Sequence, residues 1–351
     1  MEIALFILFY IFAAAADNSL INTKHDKDRK YLVLITCLVL ALISGLRSVY
    51  WSDTFAYKFS FENTTPTIDE FSFLKHPAGY SEKGYFLLAS IIRTFTSNYQ
   101  VYFVCISLLT FYFLYRFFNK NCIFPLIAVC VYIARFYIGR NFMQIRAGLA
   151  IPVVLISLQH IEKKQFWKFL WTVFIAYHLH HSALVVFPFY FIQNYLTIKK
   201  KHIVWGIGIA FLITWTMGSV IRSWLQSIEY VNDMASAYVI EGNQKASGKG
   251  LENIMIYYQT ILLFVFTFSE KRLAPLYKNY HVIRNAYFYS TVILIMLSSF
   301  AILSARLSTI FATLECIMYP SYIFTFVKKE RFWAYIGIGV ILTTFFFLNL
   351  Y

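Results

Sequence analysis

Arg135, Arg140 and Arg146 stand close together in the stretch Arg135-Phe136-Tyr137-Ile138-Gly139-Arg140-Asn141-Phe142-Met143-Gln144-Ile145-Arg146-Ala147-Gly148, where two apolar runs meet. A guanidinium at the centre of a bilayer-spanning helix costs about 2.5–3.5 kcal/mol on insertion scales. Such groups need an anionic partner, either a carboxylate on another helix or a bound anion. Ionisable side chains inside a membrane are functional by default. With a helix starting near Asn141, Arg146 lies about 8 Å inside it at 1.5 Å rise per residue. That is too deep for an interfacial anchor. Gly148 and Pro152 on the same run are expected to thin and bend the helix and so leave room for a ligand.

Other chemistry-bearing residues gather at the ends of neighbouring apolar runs. Gly45-Leu46-Arg47 leads into Trp51-Ser52-Asp53-Thr54 and Tyr57, placing an arginine and a carboxylate close together. Glu82-Lys83-Gly84-Tyr85 opens a half-apolar stretch, and Glu82 is either a second functional carboxylate or a helix-start residue favoured by the dipole. His178-Leu179-His180-His181 lies at a helix junction. His178 and His181 share a helical face, but no third metal ligand accompanies them, and a phosphate contact or proton shuttle by His181 is the better reading. Arg306 repeats the pattern of an arginine at a helix end. Glu315 is the one carboxylate deep in an apolar run, where it pairs with an arginine or relays protons. Asp26-Lys27-Asp28 and the glycine-rich Gly242–Gly250 imitate nucleotide-binding motifs, yet the first lies in a short basic loop. The second has the wrong glycine spacing and no Ser or Thr after Lys249.

The elements that must position these residues follow from composition. With 59% hydrophobic and 14% charged residues, the chain is no soluble domain of its length. We read it as an all-α, polytopic integral membrane protein, a single transmembrane domain over 1–351. The net charge of +14 then reflects lysine-rich loops beside anionic lipid rather than nucleic-acid binding. The five cysteines show no paired or ligand spacing, so neither disulfides nor a thiolate metal site is expected. Asp17 and Asn18 close the first apolar run, which reads as a retained helix rather than a cleaved leader.

About twelve spans satisfy the positive-inside rule: Ile3–Leu20, Tyr31–Leu46, Tyr99–Phe118, Ile123–Ile138, Asn141–His160, Gln165–His180, Ser182–Ile198, Ile203–Val220, Asn253–Phe268, His281–Leu303, Leu307–Val327 and Phe332–Leu350. Gly84–Phe95 is too short to cross and is expected to be a re-entrant or surface helix. Two longer loops, about 48–98 and 221–252, fall on the outer side. Lysines dominate the inner loops. Arg47, Arg93, Arg135, Arg140, Arg146, Arg222 and Arg306 fall at outer ends, and arginine suits bidentate binding of phosphate oxygens.

These residues resemble the EpsG-type polysaccharide polymerases, the group that includes many Wzy-like O-antigen polymerases. The resemblance runs through Gly45-Leu46-Arg47, Ser52-Asp53-Thr54 with Tyr57, Glu82-Lys83-Gly84-Tyr85, Asn141-Phe142-Met143-Gln144-Ile145-Arg146 with Gly148-Leu149-Ala150, and His181-Ser182-Ala183-Leu184. Ala147 stands where the family carries a glutamine. Beyond Arg306-Leu307-Ser308 the second half matches only in hydropathy. The resemblance implies a bacterial inner-membrane enzyme that joins polyprenyl-diphosphate-linked oligosaccharide repeats on the periplasmic face. A flippase and a chain-length regulator would be its partners, and neither metal nor other cofactor is implied.

Physical chemistry leads to compatible roles. A lipid diphosphate entering from the outer leaflet meets the outer arginines, and its departure from an anomeric carbon builds charge that preorganised guanidiniums stabilise. Arg47, Arg140 and Arg146 are assigned to the diphosphate, with Arg306 in support. Asp53 is the first choice as base for the acceptor hydroxyl, with Glu82 and His181 behind it. The competing functions are a lipid-linked oligosaccharide flippase, which needs charge along both leaflets, and an O-antigen ligase with a lipid A core acceptor.

Overall fold

Apolar runs punctuated by cap residues and prolines fold as helices throughout. No β-strand occurs among the described residues, which are 1–20, 26–51, 53–74, 81–227 and 249–350 of this computed structural model. In chain order the helices are α1 (Glu2–Leu20), α2 (Asp26–Gly45), α3 (Thr54–Asn63), α4 (Lys83–Phe95), α5 (Tyr99–Asn121), α6 (Pro125–Tyr132), a π-helical segment (Ile133–Met143), α7 (Ile145–Leu155), α8 (Ser157–Glu162), α9 (Phe166–Leu179), α10 (Phe187–Tyr195) and α11 (Lys200–Gln226). They continue as α12 (Ile254–Phe268), α13 (Glu270–Leu273), α14 (Tyr280–Met296), α15 (Ala301–Ala312), α16 (Glu315–Ser321) and α17 (Arg331–Leu350). Ser52 and most of the glycine-rich Gly242–Gly250 stretch lie outside the described residues.

Starts are set by local chemistry. Asn98 Oδ1 accepts the Gln100 N–H at 2.8 Å to begin α5, and Asn253 Oδ1 accepts from Met255 N–H at 3.0 Å to begin α12. Pro125 opens α6, as proline does where a first-turn N–H would lack a partner anyway. A first-turn amide there, Ile127 N–H, donates at 2.9 Å to the buried carboxylate of Asp17. Asp17 therefore does not close the first apolar run. It sits within α1 and caps a different helix.

Met1–His160, Gln165–Val186 and Glu315–Tyr351 form one compact unit; Ile161–Lys164 and Phe187–Leu314 form a second. In the first unit α2 lies along α5, α7 packs on α5 and α9, α4 packs on α9, and α17 packs on α1 and on the π-helical segment. In the second, α14 packs against α11, α12 and α15. Among the described residues six helices are long and apolar enough to cross a membrane, or seven if Leu303–Ala312 and Glu315–Thr325 count as one broken span. Hydropathy led us to expect about twelve. The difference comes from breaks: α9 runs 14 residues and α12 runs 15, and the run expected over Ser182–Ile198 divides into a 3-10 turn and α10. Gly84–Phe95 does form a short separate helix, α4.

The break that matters most lies at Gln144. Gln144 N–H donates to Gly139 C=O at 2.9 Å, the five-residue bond of a π-helix, and φ −96°, ψ 59° at Gln144 then ends the segment. The span expected over Ile123–Ile138 therefore extends to Met143, and Arg146 is the second residue of α7 rather than a group well inside a helix. Gly148 does not open space for a ligand either. A Cβ there would stand 2.6 Å from the Arg140 carbonyl oxygen, so the bare glycine lets the start of α7 press against the π-helical backbone.

Gly148→Ala is accordingly expected to destabilise the protein by roughly 1–3 kcal/mol through overpacking. Gly139, with nothing within 4 Å of an added Cβ, provides the contrast: Gly139→Ala should be neutral or stabilising by up to about 1 kcal/mol. Thermal unfolding of the two purified variants in detergent measures both, and equal melting temperatures would refute the contact.

Candidate functional site

An aromatic core holds the site's helices together. Phe61 of α3, Tyr85, Phe86 and Ala89 of α4, Tyr102 and Phe103 of α5, and Ile145 and Leu149 of α7 bury one another. The Phe61 and Tyr102 rings stack at 4.3 Å, and the Tyr85 and Tyr102 hydroxyls share a 2.7 Å hydrogen bond. This packing gathers α3, α4, α5 and α7 around one core, and Arg146 at the start of α7 reaches Glu82 just before α4. Gly84 brings α4 against the end of α9, since a Cβ there would lie 2.8 Å from His178 Cβ and 2.9 Å from the His178 carbonyl oxygen.

Glu82, in extended backbone just before α4, is buried where these ends meet. Arg146 Nη1 donates to its Oε2 at 2.6 Å, Ser81 Oγ donates to the same oxygen at 2.6 Å, and His180 Nδ1 stands 2.7 Å from Oε1. Arg146 Nη1 also reaches Ser81 Oγ at 2.8 Å. Burial pushes the Glu82 carboxyl up, but the His180 hydrogen bond and the Arg146 charge outweigh it and bring it down to about 2. Glu82 is thus a held anion that holds Arg146 in turn. Arg146 keeps 24% of its side chain exposed while Glu82 keeps 2%, so the guanidinium is the accessible member of the pair.

Tyr57 packs its ring 5.6 Å from the Arg146 guanidinium carbon, and the charges it senses are those of Arg146, Asp53 and Glu82. Asp53 precedes α3, is solvent-exposed, and makes no side-chain cap bond to that helix. Asp53, Tyr57, Glu82, Arg146 and His180 form one neighbourhood. His181 belongs to its edge: its ring tilts against Tyr177 at 4.9 Å, and Glu82, His180 and Arg146 are among the charges around it.

The remaining sequence-assigned arginines are placed differently. Arg47 is buried; it donates to the Asn141 carbonyl at 2.7 Å, the Ser44 carbonyl at 3.2 Å and Thr54 Oγ1 at 3.1 Å, with its guanidinium 3.9 Å from the Phe103 ring centre. Thr54 in turn donates to the Phe142 carbonyl at 3.4 Å. Arg140 is buried 4.1 Å over the Phe136 ring, with Tyr132, Cys316 and Glu315 around it. Arg135 Nε pairs with the buried Glu315 carboxylate at 2.9 Å, which gives that deep acid its partner. Arg306 lies on α15, in the second unit.

Sequence reasoning named Thr54 and Tyr57 only as part of the Asp53 motif and gave no role to them, to Ser81 or to His180. For His180 the signal was present in the histidine cluster, but a helical register pairs His178 with His181. The helix ends at Leu179, and His180 in extended backbone (φ −161°, ψ 125°) turns toward Glu82 instead.

Replacing Glu82 by Gln leaves Arg146 without its anion, and breaking such a buried pair costs roughly 3 kcal/mol. The ionised Glu82 contributes fully above its ordinary value of 4.5 and loses that contribution as pH falls toward 2. Thermal melts from pH 7 to pH 3 should therefore drop more steeply for the wild type than for Glu82→Gln. Parallel curves would show that Glu82 is not held as an anion.

Comparison with known proteins agrees with the sequence resemblance. No curated protein and no solved structure matches the chain. The family model described as EpsG family matches residues 30–351, nearly the whole sequence and both compact units, and on that match the chain belongs to the EpsG family.

Proposed function

We propose that this membrane protein is a polysaccharide polymerase that joins polyprenyl-diphosphate-linked oligosaccharide repeats on the periplasmic face of a bacterial inner membrane, as in O-antigen synthesis, without a metal. One observation carries this reading beyond family membership: a partly exposed guanidinium, Arg146, is fixed from behind by a buried carboxylate, with an exposed carboxylate, Asp53, in the same neighbourhood. A cation so held suits a diphosphate, because its orientation is set before the ligand arrives.

In the proposed reaction the growing chain is attached through its anomeric carbon to the carrier diphosphate. Arg146 binds the phosphate oxygens. The acceptor hydroxyl of the incoming repeat attacks the anomeric carbon, a new C–O bond forms, and the bond from that carbon to the diphosphate oxygen breaks. The lipid diphosphate leaves with the electron pair, and the hydroxyl proton passes to Asp53. Glu82 is too strongly held as an anion to be the base, so its role is to position Arg146, together with Ser81 and His180. Arg47 and Arg140 support the site from the backbone side and contribute positive potential rather than direct contacts. His181 is a contact for the acceptor sugar. A flippase supplying repeats and a regulator of chain length are the partners this reaction needs.

Purified protein given a polyprenyl-diphosphate repeat should yield a ladder of longer products. Arg146→Ala should lower the rate roughly 10²–10³-fold, the loss seen when one preorganised donor is removed. Asp53→Asn should lower it roughly 10²–10⁴-fold and abolish the acidic limb of the pH–rate profile. Transfer only to a lipid A core acceptor would replace polymerase by ligase, and translocation without product would replace it by flippase.

A further inference from the structure

The second unit carries a polar cavity that the proposed reaction does not use. It measures about 420 Å³, within the roughly 300–1,000 Å³ typical of small-ligand sites. It opens where three apolar helices end together: the first turn of α11, the residues just after α12 and the first turn of α14. Lys199, Lys200, Arg284, His281 and Asn285 line it, with Glu270 as its one carboxylate.

The floor is built rather than incidental. Arg284 is 2% exposed, and its guanidinium donates to the Ile198 carbonyl at 2.7 Å, to Asn285 Oδ1 at 3.1 Å and to Glu270 at 3.2 Å. Those three bonds use three of its five N–H groups. Asn285 is fixed in turn by donating to Gln193 Oε1 at 2.9 Å. Lys200 approaches Glu270 only to 3.5 Å with both groups partly exposed, a contact of little strength. The single carboxylate therefore faces three cations, of which Arg284 is held in place, a net charge of two positive before His281 is counted. The N-terminus of α11 lies at the cavity beside Lys199 and Lys200 and adds the positive end of its dipole.

The surroundings suit a lipid. Tyr195 and Leu196 are 76% and 60% exposed beside the cavity, and Phe268 at the end of α12 is 61% exposed. Lys201, Lys271, Arg272 and Lys278 cluster at the same helix ends, which the positive-inside rule assigns to the cytoplasmic leaflet. Basic pockets between membrane helices on that side suit phosphate-bearing headgroups.

We propose that this cavity binds a phosphate group, with Arg284, Lys199 and Lys200 as its ligands, supplied by the headgroup of an anionic phospholipid or by soluble phosphate. Lipid adducts on the purified full-length protein would be read by native mass spectrometry, with phosphatidylglycerol and phosphatidylcholine offered in equal amounts and inorganic phosphate added in a second series. Wild type should retain phosphatidylglycerol preferentially. The double variant Lys199→Ala/Lys200→Ala should lose roughly thirtyfold in affinity, as expected for two lysines at a lipid surface. Lys271→Ala/Arg272→Ala removes equal charge outside the cavity and should lose markedly less affinity than the cavity variant. Displacement of the lipid by inorganic phosphate would support the phosphate site and name soluble phosphate as a source; persistence of the lipid would assign the headgroup. Equal binding by both double variants, or no preference for the anionic lipid, would overturn the proposal.

Discussion

A helix interrupted inside an apolar protein leaves backbone groups that water cannot reach, and each must find a partner within the chain. The break at Gln144 imposes that demand on the first unit. The carbonyls of Asn141 and Phe142, at the end of the π-helical segment, are met by Arg47 and Thr54. Arg47 follows the end of α2 and Thr54 begins α3, so the repair of one broken helix ties it to the junction between two earlier elements. Gly148 closes the same break from the other side, because only a glycine allows α7 to begin against the Arg140 carbonyl. Arg146 is aimed by this arrangement: being second in α7, it projects from the new helix start toward Glu82.

The arginines thus divide by physical task. Arg47 satisfies backbone, Arg135 neutralises Glu315, and Arg140 lies over an aromatic face, whose quadrupole attracts a cation where hydration is lost. Arg146 alone of these is both paired and substantially open. A buried ion pair rarely adds much net stability, since desolvation offsets the Coulomb gain. The Arg146–Glu82 pair is better understood as orientation of a cation, with Ser81 and His180 filling the remaining acceptor sites of the carboxylate. The Arg284–Glu270 pair in the second unit repeats the arrangement, with a buried guanidinium held by a carbonyl, an amide and a carboxylate.

Much was legible without coordinates. Hydropathy shows the helices, and the acid Glu315 within an apolar run announces a cationic partner. The short motifs around Arg47, Asp53, Glu82, Arg146 and the histidine cluster mark out the candidate site, and three of their glycines prove to be close-approach positions: Gly45 against Val104, Gly84 against His178 and Gly148 against Arg140. What misled were helix ends. A π-helical segment has no distinct hydropathy, so the span ending at Met143 looked shorter, and Arg146 looked deeper, than either is. For the same reason the position of His180 was not legible, because a regular helical register continued on paper past Leu179.

Composition and local pattern determined what this chain is made of: apolar helices, lysine-rich loops, and arginines too costly to bury without partners. Those properties depend on each residue and its near neighbours, so they can be read from the chain alone. Which arginine meets which acid is a different matter. Arg146 and Glu82 are 64 residues apart, and Arg135 and Glu315 are 180 apart. Only the packing of α4, α5, α7 and α9, and of α16 beside α6, decides those pairings, because an ion pair is chosen by ångström-scale distance rather than by order along the backbone.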